Sequence, residues 1–276
     1  SAGRVLIGFC FSAVYVTAES WLNNAATNEN RGQALSLYMI VQTFGIVIAQ
    51  ALLLTADPSG FVLFVIPSVL VSVAVTPILL SISPTPAFDT TKPMSLRELA
   101  GFSPLGCVGM FLLGGVFSAQ FGMASVYGAE AGLTVAQISI FVATFFVGSV
   151  ILQYPIGWMS DRMDRRLLIV ITSVIGGIGS IVGMLLGHNF TILLLTAFVV
   201  GGMSNPLYSL LIAHTNDFLE PEDMAAASGG MIFINGLGAI LGPVITGWMM
   251  GTALGPGGFY LFTAVLFFAL SMYASY

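Results

Sequence analysis

The sequence predicts an all-α membrane protein, and three observations carry that prediction. Hydrophobic residues make up 57% of the 276 residues and charged residues only 7%, whereas about a quarter of the residues in soluble domains are charged. The mean hydropathy is +0.99. The charged residues are also clustered, which leaves long stretches that contain none. Because so few ionic groups cannot coat a soluble globule, we expect the chain to lie in a lipid bilayer.

The uncharged stretches predict the individual spanning helices. Asp, Glu, Lys and Arg are absent from six segments: 32–56, 58–88, 99–129, 131–160, 167–216 and 224–276. One crossing takes about 20 apolar residues, so each of the first four segments holds one helix. The last two segments hold two helices each, divided by turns at residues 187–189 and 251–258. With residues 4–22 the prediction is about nine spanning helices.

Transmembrane strands are the alternative, and the sequence disfavours them. Strands of membrane barrels alternate apolar and polar residues, whereas residues 61–80 are apolar almost throughout. Backbone polar groups in lipid must also find partners within their own segment, which a helix provides.

The basic residues predict the orientation in the membrane. Six of the seven lie in alternate loops: Arg31, Lys92, Arg97, Arg162, Arg165 and Arg166. Loops with an excess of Lys and Arg face the cytoplasm, so the first residue of this chain is expected outside. We therefore expect a multi-pass protein of the inner membrane whose long central loop is cytoplasmic.

The longest connection divides the chain into two unequal parts. Residues 83–101 are rich in Pro and Thr, and their MSLREL piece predicts a short amphipathic turn at the membrane surface. We expect residues 1–82 to form a partial N-terminal half of three helices and residues 102–276 to form a six-helix half. Residues 28–51 align without gaps on residues 221–244, and such related halves are usual in secondary transporters.

The repeat also predicts helices that this chain does not contain. If one half has six helices, the other should have six as well, and only three are found before the central loop. The chain begins almost inside a helix and without an initiating Met. We therefore expect a part of a longer protein that lacks its first three helices.

The loop after the fifth predicted helix carries a recognisable motif. It reads GWMSDRMDRR, which resembles the G-x-x-x-D-R-x-G-R-R signature of the major facilitator superfamily (MFS). Asp164 stands where that family usually has Gly. The matching residues are Gly157, Asp161, Arg162, Arg165 and Arg166. The resemblance implies an MFS-type helical bundle whose helices here are the fourth to the twelfth of twelve, and residues 19–32 resemble bacterial drug-transporter-like members.

The same motif predicts a cytoplasmic brace. Asp161 and Arg165 are spaced i, i+4, so they can pair if the segment is helical. Asp161 can also interact with the positive N-terminal end of a neighbouring helix, and the pseudo-symmetry of the family implies the helix that starts near Arg31. Such a brace would hold the cytoplasmic ends of the two halves together in one state and break in the other. The alternative is a solvated basic loop that only fixes the topology.

A second family element is displaced. Antiporters of the superfamily often carry a Gly-rich stretch that ends in Gly-Pro on the fifth of the twelve family helices. That helix is the second one predicted in this chain, and Gln50 stands where the Pro is expected. The pattern lies instead in the symmetry-related helix, at Gly238, Gly242, Pro243 and Gly247. This displacement weakens an assignment to drug–proton antiport. Close helix packing is the simpler explanation of these glycines.

One acidic residue, Glu19, lies inside a predicted span. Ionisable residues in a span are costly and usually face a cavity or a partner. Glu19 is therefore a candidate for carrying a coupling proton or for binding a cationic substrate. The alternative is a structural role in which its carboxylate only caps the adjacent loop.

Uncharged polar residues near mid-span are the further candidates for substrate contact. The resemblance implies that the fourth, seventh and tenth helices line a central cavity. The residues favoured on that basis are Tyr15, Gln120, Asn205 and Tyr208. The remaining candidates are Gln42, Gln153 and Asn235. For each of them, hydrogen bonding between helices without substrate contact is the alternative, because such bonds are common in membrane bundles.

These features together predict a secondary active transporter that moves a small, unidentified solute by alternating access, with proton coupling left open. The main alternative is a scaffold or assembly subunit that kept the fold without transporting. A channel is disfavoured, because it would need a ring of like residues at one level and the sequence shows none. The sequence has no phosphate-binding loop, nucleophile elbow or metal-ligand cluster. We therefore expect no enzyme activity, cofactor, metal or nucleic-acid partner, and the lipid bilayer as the constant environment.

Overall fold

Every regular element of the computed structural model is a helix in the part of the chain that it describes. Those residues are Gly3, 6–11, 13–14, 17–18, 31–57, 60–80, 94–160, 162–220, 223–252 and 254–276, excepting the side chains of 31–37, 39, 40, 78 and 225. Contacts between Cα atoms divide the chain into two units. The first comprises Ser1–Gly45 and Ala56–Thr90, and the second comprises Ile46–Thr55 and Thr91–Tyr276.

Two helices whose bounds the structure describes precede the central loop, and residues 6–11, 13–14 and 17–18 before them are also helical. Helix α1 spans Arg31–Leu52 and crosses the division between the units, while α2 spans Val62–Leu80 and belongs to the first. The hydroxyl of Thr55 donates to the Leu52 carbonyl oxygen at 2.7 Å, just after α1 ends. Helix α2 contains Pro67 and Pro77, each of which removes one backbone donor from the helix.

The second unit contains the remaining helices. They are α3 (Leu96–Phe102), α4 (Pro104–Ser118), a π-helical turn (Ala119–Met123), α5 (Ala124–Glu130), α6 (Val135–Ser160), α7 (Arg165–Leu186), α8 (Phe190–Asn216), α9 (Met224–Met250) and α10 (Gly257–Ser275). Helices α4 and α5 form one continuous rod with the π turn between them. Six rods of the described residues are long and apolar enough to cross a membrane. The predicted helical membrane bundle is confirmed to that extent, and the count of nine stays a prediction.

Short helix α3 occupies the MSLREL piece of the central loop. Its first turn forms a capping box: the Ser95 side chain accepts from the Glu98 N–H at 3.2 Å, and the Glu98 carboxylate accepts from the Ser95 N–H at 2.8 Å. This arrangement satisfies two donors that a helix start would otherwise leave unpaired. Leu99 is buried and lies beside Gly230 of α9. One apolar side chain thus attaches this part of the loop to the bundle.

The two turns that the sequence predicts within the long apolar segments are present. Gly187 ends α7, and the Asn189 side chain then accepts hydrogen bonds from the N–H groups of Thr191 and Ile192 at 3.0 and 3.3 Å, which caps α8. Gly255 precedes α10 with a φ of +53°. A side chain at that position would be strained, so glycine is suited to this turn.

Glycines bring α6 and α8 into backbone contact. A Cβ atom added at Gly148 of α6 would overlap the carbonyl oxygen of Phe198, and one added at Gly201 of α8 would overlap that of Phe145. Small residues permit this approach, which in membranes replaces the hydrophobic driving force of soluble proteins. Helices α6 and α8 are therefore held at a distance that no larger residue at either position allows.

The same principle joins α4 and α9. A Cβ atom at Gly238 would overlap the Phe111 carbonyl oxygen, and one at Gly242 would overlap the Ser118 side chain. Helix packing therefore accounts for these two glycines of the displaced Gly-Pro pattern.

Candidate functional site

A buried amide lies in the π turn between α4 and α5. Gln120 occupies the second position of Ala119–Met123 and is only 1% exposed. A π turn accommodates an extra residue in an α-helix and is frequently found at functional sites. Gln120 is predicted to line the cavity from the seventh of the twelve family helices, which corresponds to α4 and α5 here. It lies where this helix departs from regular α-helical geometry.

Gln120 is hydrogen-bonded to a hydroxyl of α8. Its Nε2 donates to Ser204 Oγ at 3.0 Å, and Ser204 Oγ lies 3.2 Å from Gln120 Oε1 and 3.0 Å from the Gly201 carbonyl oxygen. Because a hydroxyl has one hydrogen, Ser204 can donate to only one of these two acceptors at a time. The pair joins the π turn to α8 in a fully buried place.

A second polar pair joins α6 to α8 beside the first. Asn205 Nδ2 donates to Ser149 Oγ, and the Ser149 hydroxyl lies 2.9 Å from the Phe145 carbonyl oxygen and 2.8 Å from that of Gly201. The Gly201 carbonyl oxygen is thus within hydrogen-bond distance of both Ser149 and Ser204. The two pairs meet at this atom and form one network across three rods.

A third polar pair lies further along the same helices. Gln153 Nε2 of α6 donates to Ser209 Oγ of α8 at 3.0 Å. Asn205, Tyr208 and Ser209 are three and four residues apart and so lie on one face of α8. Gln153, Asn205 and Tyr208 are half-buried, and Ser209 is exposed. The polar side of α8 therefore reaches the surface of the unit.

Aromatic rings continue this face. The centroid of Tyr208 lies 6.1 Å from that of Phe117, Phe117 lies 6.2 Å from Phe121, and Phe121 lies 4.9 Å from Phe146. Phe121 is 56% exposed although it belongs to the π turn. We call the whole set the amide–aromatic face; its members are Phe117, Phe121, Phe146, Gln153, Asn205, Tyr208 and Ser209.

The exposed part of this face is poorly suited to lipid. Half-buried amides at membrane depth lack water to satisfy them unless they line a cavity or meet protein. Elsewhere the bundle presents aliphatic residues, as at Ile240 and Val244 of α9, which are 69% and 70% exposed. The amide–aromatic face therefore differs from the aliphatic surface in presenting polar groups at the edge of the unit.

The other predicted contact residues differ in their surroundings. Asn235 Nδ2 of α9 donates to the Met110 carbonyl oxygen of α4 at 3.0 Å, which favours the interhelical alternative for that residue. Gln42 is half-buried on α1, in the first unit. Tyr15 and Glu19 lie outside the described residues. Their contact with substrate or protons stays a prediction.

The basic motif lies in a turn between two helices. Helix α6 ends at Ser160, α7 begins at Arg165, and residues 162–164 between them are not helical. Asp161 and the side chain of Arg31 lie outside the described residues, so the brace stays a prediction. Asp164 is the N-cap of α7, since its carboxylate accepts from the Leu167 N–H at 2.9 Å. The residue that replaces the family's Gly thus stabilises a helix start.

The arginines of the motif fasten this turn to three helix ends. Arg165 forms an ion pair with Asp217, which follows α8. Arg166 Nε donates to the Ala274 carbonyl oxygen of α10 at 2.6 Å. The third contact involves Arg162 and the end of α6.

Arg162 contacts Trp158 in two ways. Its Nη1 donates to the Trp158 carbonyl oxygen at 3.1 Å, and the guanidinium carbon lies 4.0 Å from the ring centroid. Cations are attracted to the face of an indole ring at such distances. Gly157 is exposed, and a Cβ there would meet nothing within 4 Å, so local packing does not explain it.

Sequence reasoning missed the hydroxyl partners of the amides. Ser149, Ser204 and Ser209 are too common a residue type to stand out in an apolar segment. Their spacing is informative in retrospect, because Ser149 precedes Gln153 by one helical turn and Ser204 adjoins Asn205. Asp217 was also missed, although it is the first charged residue after a 50-residue uncharged segment.

Comparison with known families now decides the membership. The family model of the Major Facilitator Superfamily matches residues 106–276. The chain belongs to the Major Facilitator Superfamily. The model for sugar (and other) transporters matches residues 1–92. The predicted family and the prediction of a multi-pass membrane protein are thereby confirmed.

Three curated relatives resemble this MFS protein along most of its length. The uncharacterized MFS-type transporter YfkF of Bacillus subtilis (strain 168) is 27% identical over 95% of this chain and 68% of its own. YcaD of Salmonella arizonae is 26% identical over 90% of this chain and 64% of its own. An uncharacterized MFS-type transporter of Yersinia pestis (strain Pestoides F) is 27% identical, with the same 90% and 64%. The chain therefore spans about two thirds of the length of these relatives.

Proposed function

We propose that the protein is a secondary active transporter of the inner membrane that moves a small solute by alternating access. Family membership supports transport in general, and the observation that carries the proposal is the amide–aromatic face. It has half-buried amides within α6 and α8, two helices that are long and apolar enough to cross a membrane. Carriers of this kind bind their solute near the midplane, between repeated halves. In this proposal residues 83–101 connect the two halves, 1–82 and 102–276.

The helices that form the face contain the irregularities that such movement needs. Pro155 of α6 and Pro206 of α8 each remove a backbone donor, which frees a carbonyl and lets the helix bend. The π turn at Ala119–Met123 is a further departure from regular geometry. The polar groups therefore lie next to the places where helix shape changes most readily.

The basic turn supplies a contact that can change between states. The Arg165 and Asp217 side chains are 29% and 46% exposed. Solvent screening limits such a pair to about 1 kcal/mol or less. A contact of this strength can hold one conformation without blocking the next, as the predicted brace at Asp161, Arg165 and Arg31 requires.

Uptake by reconstituted protein tests the proposal. We would reconstitute the full-length protein in proteoliposomes and measure uptake of a metabolite and drug panel with and without a pH gradient. We expect saturable uptake of at least one compound. We also expect it to fall at least tenfold in Asn205→Leu, which removes an amide of the face, and to be unchanged in Phe233→Leu, a control on the exposed surface of α9. Correctly folded protein that takes up none of the panel would favour the scaffold alternative.

Proton coupling needs a separate variant. If Glu19 carries the coupling proton, Glu19→Gln abolishes solute-driven proton movement while solute exchange continues. Proton movement that persists in Glu19→Gln would remove this residue from the coupling role.

A further inference from the structure

We propose that the amide–aromatic face binds an uncharged solute that carries an aromatic ring next to a hydrogen-bonding group. This inference rests on the proposed function and names the substrate class of the same site. Three properties of the described residues lead to it: the charge of the surrounding helices, the row of rings, and the unused atoms of two amides.

The first property is the absence of counter-ions. Asp, Glu, Lys and Arg are absent from residues 99–129, 131–160, 167–216 and 224–276. The two histidines lie near helix ends: His188 in the turn before α8 and His214 in the last turn of α8. A charged group that leaves water for this surface would therefore meet only neutral dipoles on the described helices that form it. Burial of an unpaired charge is far more costly than burial of a polar group that finds a partner. The face accordingly favours a solute without net charge.

The second property is the row of rings. Phe121 is more than half exposed, and its ring contacts those of Phe117 and Phe146. Such a row offers both ring faces and ring edges, and aromatic pairs gain from offset or edge-to-face contact beyond the area that they bury. An aliphatic solute of the same size cannot make this additional contact.

The third property is the unused capacity of the two amides. Asn205 donates one N–H to Ser149, and Gln153 donates one N–H to Ser209. Each side chain keeps its carbonyl oxygen and a second N–H, and neither has another partner among the residues that the structure describes. The face thus offers a donor and an acceptor beside the rings. A carboxamide or a phenol on the solute would satisfy them.

Four probes of similar size separate these properties. Benzamide is neutral, aromatic and able to donate and accept; benzoate adds a negative charge; benzylammonium adds a positive charge; cyclohexanecarboxamide removes the aromatic ring. We would measure the binding of each probe to the full-length protein in lipid nanodiscs by ligand-observed NMR titration. We expect benzamide to bind at least tenfold more tightly than each of the others. Absence of benzamide binding, or equal binding of any other probe, would overturn the proposed class.

Variants assign the binding to the face. Phe121→Leu and Asn205→Ala should each weaken benzamide binding at least fivefold. Phe233→Leu should leave it unchanged, and it is a matched control because Phe233 is also 56% exposed. Thermal melting of each variant separates lost binding from lost folding, and Asn205→Ser replaces Asn205→Ala if the latter unfolds. Equal benzamide affinity in Phe121→Leu and the control would place the binding elsewhere and reject the assignment.

The two proposals fail in different ways. Benzamide binding at the face, without uptake of any compound by proteoliposomes, would reject transport and retain the binding site. Saturable uptake of an organic anion, with no benzamide binding, would reject the neutral aromatic class and retain transport.

Discussion

Two polar regions of the second unit differ in almost every physical respect. The basic turn between α6 and α7 carries full charges, is partly exposed, and fastens helix ends through Arg165 and Arg166. The network around the Gly201 carbonyl oxygen is uncharged, largely buried and bonded through Gln120 and Ser149. Water screens the first region, whereas the Gln120–Ser204 pair of the second is buried away from it. The loss of one hydrogen bond should therefore affect stability differently in the two regions.

The difference separates what fixes topology from what can recognise a solute. Charged residues have a low free-energy cost only near the membrane surface, where they orient the chain. Neutral amides are tolerated deeper, and there they are costly enough to be kept mainly where they have a role. Variants in the buried region should change stability and transport together, whereas loss of the ion pair in the turn should change stability little.

The largest expected effect is in the helix contact that supports the buried network. Gly148→Ala places a methyl group on the Phe198 carbonyl oxygen and should lower the free energy of unfolding by about 3 kcal/mol, as overpacking does. Gly236→Ala is the matched control, because a Cβ there meets nothing within 4 Å. It should be neutral or stabilising by up to about 1 kcal/mol. Unfolding in mixed micelles measures both, and equal melting of the two variants would contradict the packing account.

The next effect concerns the buried hydrogen bond itself. Gln120→Leu and Ser204→Ala form a double-mutant cycle around the 3.0 Å contact, and the coupling energy should be about 0.6 to 1 kcal/mol, which is usual for hydrogen bonds between membrane helices. Asn235→Leu with Ser204→Ala is the control cycle, since Asn235 bonds to Met110 instead. Its coupling should be near zero. Similar coupling in both cycles would show that Ser204→Ala responds to a general loosening of helix packing and not to loss of this hydrogen bond.

A cap in the basic turn should have a comparable but purely structural effect. Asp164→Ala removes the acceptor of the Leu167 N–H and should cost about 1 kcal/mol of stability. Asp164→Asn keeps a capping side chain and should retain most of it. Thermal melting distinguishes the two, and equal loss in both variants would indicate that charge, and not capping, matters at Asp164.

The smallest effect is expected for the ion pair. Asp217→Asn removes the partner of Arg165 and should destabilise the protein by less than about 1 kcal/mol, because the pair is partly exposed. The difference from the parent should shrink further between 0.05 and 1 M salt as screening increases. A larger loss of stability that salt does not change would mean that the ion pair is shielded from solvent like the buried network.

The helical membrane fold could be predicted from the sequence because charge and hydropathy decide it locally. The uncharged segments, the turns at Gly187 and Gly251, and the basic motif at 157–166 all rest on short-range chemistry. The displaced glycines were interpreted correctly as packing residues at Gly238 and Gly242 for the same reason. The helix count and the domain boundaries depend on the first 93 residues, much of which the structure does not describe.

The site could be predicted only in part, because its geometry depends on how distant segments meet. Gln120, Asn205 and Tyr208 stood out as polar residues in apolar surroundings. Ser204 and Ser149 did not, because a serine in a membrane helix usually bonds its own backbone. Asp164 illustrates the opposite limit: it departs from the motif, and only the backbone shows that it caps α7.

Cysteine accessibility tests the central claim, that the polar side of α8 faces water and not lipid. In a background with Cys10→Ser and Cys107→Ser, Ser209→Cys should react with a membrane-impermeant maleimide in native vesicles. Ile240→Cys, on the aliphatic surface of α9, should not react. Rapid labelling of Ser209→Cys alone is the predicted result. Equal labelling of the two positions, or none at Ser209→Cys from either side of the membrane, would contradict the account.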